Sequence, residues 1–325
     1  MMVLGLQGSP RKKGNTSFLL SAFMDEAEKL GAHTHVVEVN QKNIIPCKEY
    51  TVCSKKGFCP INDDMKNEIY PLLRKADVIV AATPIFFCNA TAQLKALIDR
   101  CQALWSRKHK LKLTDPAQKY RRGFLLALGA TKGKNLFDGI NLTAKYFFDA
   151  VGASFEGSLT YRGIEHAGDM EKHPAVLSEV KEAANILLAP LLSRKKILFV
   201  CRENACRSQI AAAFVQRLAG DKIEAVSGGS NPANGINPVM VEAMSKKKID
   251  MAFRQPKSIE YALSDEKPDM IITMGCGKEC TFISGANMCN WEVPDPSGKS
   301  IDFMIKVCGE IEKRVNSLIA EVLYC

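Results

Sequence analysis

The sequence predicts an α/β protein made of two consecutive doubly wound parallel-sheet domains, residues 1–192 and 193–325. Three observations lead there. The 325 residues are enough for two ordinary domains, each burying its own core. Short apolar runs alternate along the whole chain with amphipathic helical patterns, the grammar of strand–helix–strand crossovers. One arrangement also occurs twice: an apolar strand, a polar loop, then an amphipathic helix. It appears at 2–6, 7–15 and from Thr16, and again at 196–200, 201–207 and from Ser208. Each polar loop then falls at the carboxyl end of a strand, where open parallel sheets bind their ligands.

The remaining elements follow from the same periodicities. Strands are expected at 35–39, 77–82, 123–129 and 153–160, with helices near 63–75, 91–104, 135–150 and 174–189. In the second half, strands are expected near 223–227 and 268–274, with helices near 208–219, 237–247 and 300–321. The boundary lies near 188–194. It holds one Pro and no Gly/Ser tract, which predicts a short connection. The chain has no short-period repeat and no low-complexity tract.

Composition narrows the class of protein. With 46% hydrophobic and 24% charged residues the chain is globular rather than disordered. No apolar run approaches the roughly 18 residues of a membrane helix. The first strand runs straight into a polar loop, so no signal peptide is expected and the chain reads as cytoplasmic. Twelve cysteines in such a compartment point to catalytic, metal-binding or buried thiols rather than disulfides. The net charge of +9 is uneven: residues 1–192 hold 26 Lys and Arg against 19 Asp and Glu. The surplus includes Arg107, Lys108, Lys110 and Lys112, which read either as a solvated face or as attraction for an anionic cofactor such as NADPH. No nucleic-acid motif or interleaved aromatics accompany them, so a nucleic-acid partner is not expected.

The most informative segment is Cys201-Arg202-Glu203-Asn204-Ala205-Cys206-Arg207-Ser208, spaced C-x5-R-S between a strand and a helix. A loop of this length can turn its backbone N–H groups into a nest for a tetrahedral oxyanion, and the helix start adds partial positive charge. Arg207 supplies a two-pronged grip on oxyanion oxygens. The same field is expected to favour the Cys201 thiolate, the nucleophilic form. Asn204 and Ser208 are candidates to hold the loop and the sulfur by hydrogen bonds. The loop resembles that of the low-molecular-weight protein tyrosine phosphatases and of the arsenate reductases built on the same fold. The likeness extends over 195–321 through Ser227-Gly228-Gly229-Ser230-Asn231-Pro232 and Asp295-Pro296. It implies that Asp295 is the general acid.

Two features separate these relatives. Ser297-Gly298 follow Asp295-Pro296, where the phosphatases usually place aromatic residues. Cys276-Gly277-Lys278-Glu279-Cys280 stands where arsenate reductases carry resolving cysteines. Reducing As(V) to As(III) takes two electrons from thiols, so Cys201 needs partners. The resemblance therefore implies a relay from Cys201 to Cys276 to Cys280, with arsenate or a phosphate-like oxyanion as substrate and thioredoxin or a small thiol as reductant. Cys289 remains an alternative last thiol, and Cys206 is either structural or protective. A half metal site or two buried thiols remain open for Cys276 and Cys280. A phosphatase and a non-catalytic oxyanion sensor remain open for the whole domain.

In the first half, Gly8-Ser9-Pro10-Arg11-Lys12-Lys13-Gly14-Asn15-Thr16-Ser17 joins the first strand to the first helix. Its glycines permit a tight turn, and the helix start favours a phosphate. Two more loops leave strands at the same sheet edge: Thr83-Pro84-Ile85-Phe86-Phe87-Cys88-Asn89 and Gly129-Ala130-Thr131-Lys132-Gly133. Together, G-S-P-R-x2-G-N-T-S and T-P-I-F-x13-D-R resemble the flavodoxin-like NAD(P)H-dependent FMN reductases over 1–190. That resemblance implies FMN and NAD(P)H as cofactors and a homodimer. Ser9, Arg11, Asn15, Thr16 and Ser17 are candidates for the FMN phosphate. Thr83, Pro84, Ile85, Phe86, Gly129 and Thr131 are candidates for the rest of the flavin, although Phe86 or Phe87 could equally belong to the core. Some relatives are iron–sulfur flavoproteins with four cysteines spaced C-x2-C-x2-C-x5-C before Asp-Asp. This chain has Cys47, Cys53 and Cys59 before Asp63-Asp64, with Tyr50 at the second position. Three thiolates leave one iron without its usual ligand. Structural thiols or a redox-active pair are expected there instead, and no metal.

Overall fold

The computed structural model describes residues 1–263, 267–275 and 286–324, and the chain divides into two compact units. One comprises Met1–Lys112 and Tyr120–Leu192, the other Leu113–Lys119 and Ser193–Cys325.

The first unit runs β1 (Met2–Gln7), α1 (Asn15–Lys29), β2 (His33–Glu38), α2 (Val52–Lys56), α3 (Tyr70–Lys75), β3 (Val78–Pro84), α4 (Ala92–Arg100), α5 (Gln102–His109), β4 (Arg122–Gly129), α6 (Asp138–Val151), β5 (Ser154–Arg162) and α7 (Val176–Leu192). Its five strands are all parallel in the order β2-β1-β3-β4-β5, the flavodoxin-like order. The three central strands are buried along nearly their whole length, which is why they read as unbroken apolar runs. The edge strands β2 and β5 are partly exposed. Helix α1 turns Leu19, Leu20, Phe23, Met24 and Ala27 inward at helical spacing.

Two expected helices differ in detail. The helix at 91–104 is two, α4 and α5, meeting at Cys101. The helix at 63–75 opens with a π-turn over Met65–Ile69 before α3 begins. The five-residue α2 buries none of its residues and has no sequence periodicity to betray it. The segment before that π-turn is pinned by a buried ion pair. Arg100 donates to both carboxylate oxygens of Asp63, at 2.5 and 3.1 Å, and to the carbonyl of Ile45 at 2.6 Å. Asp63 also accepts from the backbone N–H groups of Ile45 and Met65. Both charges are fully enclosed, so each depends on the other.

The second unit runs β6 (Lys195–Cys201), α8 (Arg207–Ala219), β7 (Ile223–Gly229), α9 (Pro238–Lys246), α10 (Ile259–Leu263), β8 (Met270–Thr273), β9 (Asn287–Asn290) and α11 (Ile301–Tyr324). Its strands are parallel in the order β7-β6-β8-β9. Alternate residues of β6 serve two layers. Ile197, Phe199 and Cys201 join the core with α8, α9 and α11, while Leu198 and Val200 pack with Ala262 of α10 and Ile271. Strand β9 was not expected: all four of its residues are exposed, and only its ladder to β8 defines it. The segment Leu113–Lys119, which sequence order places in the first half, belongs to this unit. Its Thr114 pairs with the Lys248–Asp250 backbone through two bonds of 2.8 Å. None of the described helices is long and apolar enough to cross a membrane.

Candidate functional site

Cys201 is the last residue of β6 and Arg207 the first of α8, so the intervening loop is only 202–206. Three of its carbonyl oxygens are tied on one side. Arg202, Glu203 and Ala205 accept from the N–H groups of Asn231, Ala233 and Asn237, at 2.8, 3.0 and 2.9 Å. In a trans peptide the N–H points away from the carbonyl of its own unit. The N–H groups of Glu203, Asn204 and Cys206 therefore face the opposite side, forming a run of donors suited to an oxyanion. Asn204 sits at φ 49°, a left-handed conformation that Asn tolerates better than most residues. Its side chain is fully buried and serves three partners. It donates to Ser208 Oγ at 2.8 Å and accepts from Gln209 Nε2 at 3.1 Å and from the Lys257 N–H at 3.0 Å. Ser208 Oγ in turn lies 3.1 Å from Cys201 Sγ.

Arg207 is buried and donates to the carbonyl of Val293 at 3.2 Å, while its Nη2 lies 3.3 Å from Asp295 Oδ2. The Asp295 side chain is 63% exposed, and its other oxygen accepts from the N–H of Ser297. Cys201, Asn204, Arg207, Ser208 and Asp295 thus form one constellation, with the sulfur on its buried side and the carboxylate toward solvent. Cys276 and Cys280 lie outside the described residues. Cys289 is exposed on β9. Cys206 points the other way, with Sγ 3.5 Å from Met304 Sδ, and burial pushes its thiol far up, helped by Cys308 and Cys201. Burial likewise pushes the Cys308 thiol up to about 11. Both thiols stay neutral and pack as core.

The sequence marked Gly229 as part of the resemblance but did not show that it and Gly275 make room for this loop. A Cβ at Gly229 would stand 2.7 Å from the carbonyl oxygen of Arg202 and 2.9 Å from the N of Asn204. Gly275, at φ +69°, passes so close to Arg207 that a Cβ would come within 2.7 Å of Nη1. It missed Gln209 as well, which links Asn204 to the carbonyl of Gln255. A Gly-Gly pair at a strand end was the visible signal.

In the first unit, the three candidate loops leave β1, β3 and β4, which are neighbours in the sheet. Gly8 allows the first to lie against the second, since a Cβ there would meet Leu94 at 2.7 Å and the Ala82 carbonyl at 2.8 Å. Thr91, the N-cap of α4, clamps the two by donating to the Gly8 carbonyl at 2.5 Å. Several candidate residues are occupied in holding loops. Ser9 Oγ accepts from the Arg11 N–H, and Thr83 Oγ1 donates to the Pro84 carbonyl. The Asn15 amide bridges the His166 carbonyl and the Met170 N–H. Thr16 is buried, and Ile85 donates to the Leu128 carbonyl beside Gly129, the last residue of β4. Arg11 and Thr131 are exposed and Ser17 is half-buried. Phe86 and Phe87 are both exposed, on a two-residue turn with Phe87 and Cys88 left-handed. Helix α1 starts at Asn15 without a side-chain cap. An uncapped helix start beside exposed Arg11, with an exposed aromatic one loop away, fits a phosphate-bearing flat ring.

A family profile described as NADPH-dependent FMN reductase matches residues 1–123, and one described as low molecular weight phosphotyrosine protein phosphatase matches residues 196–323. The chain is 31% identical over 130 residues to a glutaredoxin arsenate reductase of Synechocystis sp., covering 39% of this chain and 98% of that protein. The chain belongs to the arsenate reductase family. A solved arsenate reductase in its phosphate-binding state is 32% identical over 39% of this chain and 98% of its own, with a TM-score of 0.35. The arsenate reductase portion is thus joined to a second one of different kinship. The chain is 39% identical over 112 residues to an iron–sulfur flavoprotein of Methanosarcina thermophila, covering 34% of this chain and 58% of that protein. It spans only about half the length of the flavoproteins it matches. An iron–sulfur cluster does not fit the donors present. Cys47, Cys53 and Cys59 supply three thiolates, one fewer than a four-iron cluster takes, and Tyr50 stands in the second place.

Proposed function

We propose that this chain reduces arsenate at the Cys201 loop and that its first unit, Met1–Lys112 with Tyr120–Leu192, is an NAD(P)H-dependent flavin oxidoreductase able to supply the electrons. The observation that carries the first part is the kinship spanning 98% of a named arsenate reductase. Cys201 attacks arsenic, one oxygen leaves as water with a proton from Asp295, and a sulfur–arsenic bond replaces it. Arg207 and the N–H groups of the loop hold the remaining oxygens. A second thiol then attacks the Cys201 sulfur. The sulfur–arsenic bond breaks with its electron pair passing to arsenic, and arsenite departs as a disulfide forms. The half-buried, neutral Cys206 is a poor attacker because the thiolate is the reactive form. Cys276 is the assigned second thiol, with Cys280 or the exposed Cys289 after it.

In the first unit, bound FMN would supply hydride acceptance from NAD(P)H. Arg11, Ser17 and the first-turn N–H groups of α1 would hold its phosphate, and Phe86 and Thr131 would offer contacts to the rest of the flavin. Two electrons and two protons reopen the disulfide, either from this flavin or from a thioredoxin- or glutaredoxin-type thiol. A homodimer is the associated assembly.

The test is arsenite formation by the full chain given arsenate, NAD(P)H and FMN, with and without added thioredoxin. Cys201→Ser is expected to fall to background; a variant that still turns over removes the nucleophile assignment. The second reading is a phosphatase, favoured by the profile matched at 196–323 and by a full set of Cys201, Arg207 and Asp295. Hydrolysis of an aryl phosphate, unaffected by Cys276→Ser and without arsenate turnover, would decide for it.

A further inference from the structure

The flavoprotein relatives carry iron–sulfur in their name, and this chain has three cysteines, Cys47, Cys53 and Cys59, within thirteen residues of its first unit. A four-iron cluster takes four thiolates, as in runs of the form C-x2-C-x2-C-x3-C-P. Here Cys47, Tyr50 and Cys53 keep the first two spacings with an aromatic residue in the second place, and Cys59-Pro60 follows after five residues rather than three. The Tyr50 side chain is more than half exposed, so it does not fill a ligand position. The unit's other two thiols offer no substitute. Cys101 is fully buried at the α4–α5 junction, and Cys88 is exposed on the turn after β3.

We propose that this loop is a dithiol–disulfide centre, with Cys47 and Cys53 as its pair, in place of an iron–sulfur cluster. Its base is fixed by the enclosed Arg100–Asp63 pair and by Arg107, which donates to the Gly57 carbonyl at 3.0 Å. Between the two thiols, Glu49 and Thr51 are both left-handed, at φ 53° and 57°, so the chain turns repeatedly within a few residues. Cys47 is exposed and Cys53 half-buried, both open to a partner. Cys59, half-buried, lies near the buried Arg100 and Tyr70. The chemistry suits the proposed function, on which the identity of the reductant rests. A cluster passes electrons singly. A disulfide takes two, the number that a hydride delivers and the number that arsenate reduction consumes. In the step proposed, the Cys47–Cys53 bond opens by accepting two electrons and two protons, and reduced flavin is oxidised.

The test uses the full chain in two measurements. After anaerobic incubation with iron and sulfide and removal of unbound metal, the wild type is expected to retain almost no iron. Tyr50→Cys, which restores the fourth thiolate, is expected to retain about four iron atoms per chain. Four iron atoms in the wild type would overturn the proposal. Separately, mild oxidation is expected to yield a Cys47–Cys53 disulfide by peptide mass, lost in Cys53→Ser and reopened by NAD(P)H with FMN. No such disulfide in the wild type would also overturn it. A disulfide reopened by dithiothreitol but not by NAD(P)H with FMN supports the dithiol centre and counts against the flavin reading instead.

Discussion

Asn204 shows how one side chain can set a site's geometry without touching the chemistry. Its left-handed backbone turns the loop, and its amide ties Ser208, Gln209 and Lys257 to one point. Asn204→Ala leaves buried donors and acceptors unmatched, at about 1–3 kcal/mol each. Chemical denaturation should show that loss, together with a fall in arsenate kcat/KM. Gly229→Ala tests the same geometry from outside. Its methyl group meets backbone at Arg202 and Asn204, so the loop itself must move. Misplacement on the order of 1 Å costs about 10²-fold in rate, and that is the expected drop in kcat/KM. Gly235→Ala, with nothing within 4 Å, is the control expected to stay near wild type. Glu38 makes a different point. Burial raises its pKa, opposed by Lys12, and one of its oxygens is buried without a partner among the described residues. A carboxyl raised on folding contributes stability that is present below its unfolded pKa and lost as pH rises through the folded value. Glu38→Gln should therefore unfold at a higher temperature than wild type at pH 7, with the gain vanishing as pH falls toward 4. A gain independent of pH would count against this origin.

At the level of elements, legibility tracked burial. β1, β3 and β4 stood out because both faces are covered, so each is a run of apolar residues. The Cys201 loop stood out because its spacing, the strand before it and the helix after it all agreed. β9 and α2 were invisible: neither buries a patterned face, and each exists through a neighbour. The candidate flavin contacts were only partly legible. Sequence marks Asn15, Ser9 and Thr83 as polar residues in a loop, but not that their groups already bond to His166, Arg11 and Pro84. The head of the π-turn before α3 is anchored from far away in sequence, since Asp63 there is bound by Arg100. Asp63→Ala would leave a fully enclosed guanidinium without its counter-charge, a loss of about 3–5 kcal/mol. Urea denaturation of the first unit, followed by Trp105 fluorescence in a Trp291→Phe background, should show this as a lowered midpoint. A change below about 1 kcal/mol, the scale of an exposed pair, would refute the enclosed character of the bridge.

At the scale of the molecule, sequence order and spatial grouping part company at one place. The segment Leu113–Lys119 lies between α5 and β4 in the chain yet groups with the second unit. Asp115, Pro116 and Ala117 are buried there, and Thr114 exchanges two backbone bonds with Lys248 and Asp250. Cutting between 192 and 193 is therefore not expected to be neutral for the second unit. A fragment of residues 193–325 keeps every candidate catalytic residue but exposes the surface that 113–119 covers. It also returns two backbone bonds, each worth about 1 kcal/mol net, to water. The fragment should fold, because its own sheet and the core around Phe199 and Phe214 remain, but with a midpoint clearly below that of the same unit in the intact chain. Trp291, buried near Phe199, reports the transition in both, with Trp105→Phe silencing the first unit in the intact protein. A synthetic peptide of residues 113–119 should raise the fragment's midpoint in a concentration-dependent way, by mass action on the folded form. A peptide carrying Pro at position 114 cannot donate the N–H that Lys248 accepts and should be inactive. If the fragment matches the intact chain in midpoint and ignores the peptide, the segment merely lies against the second unit and stabilises nothing.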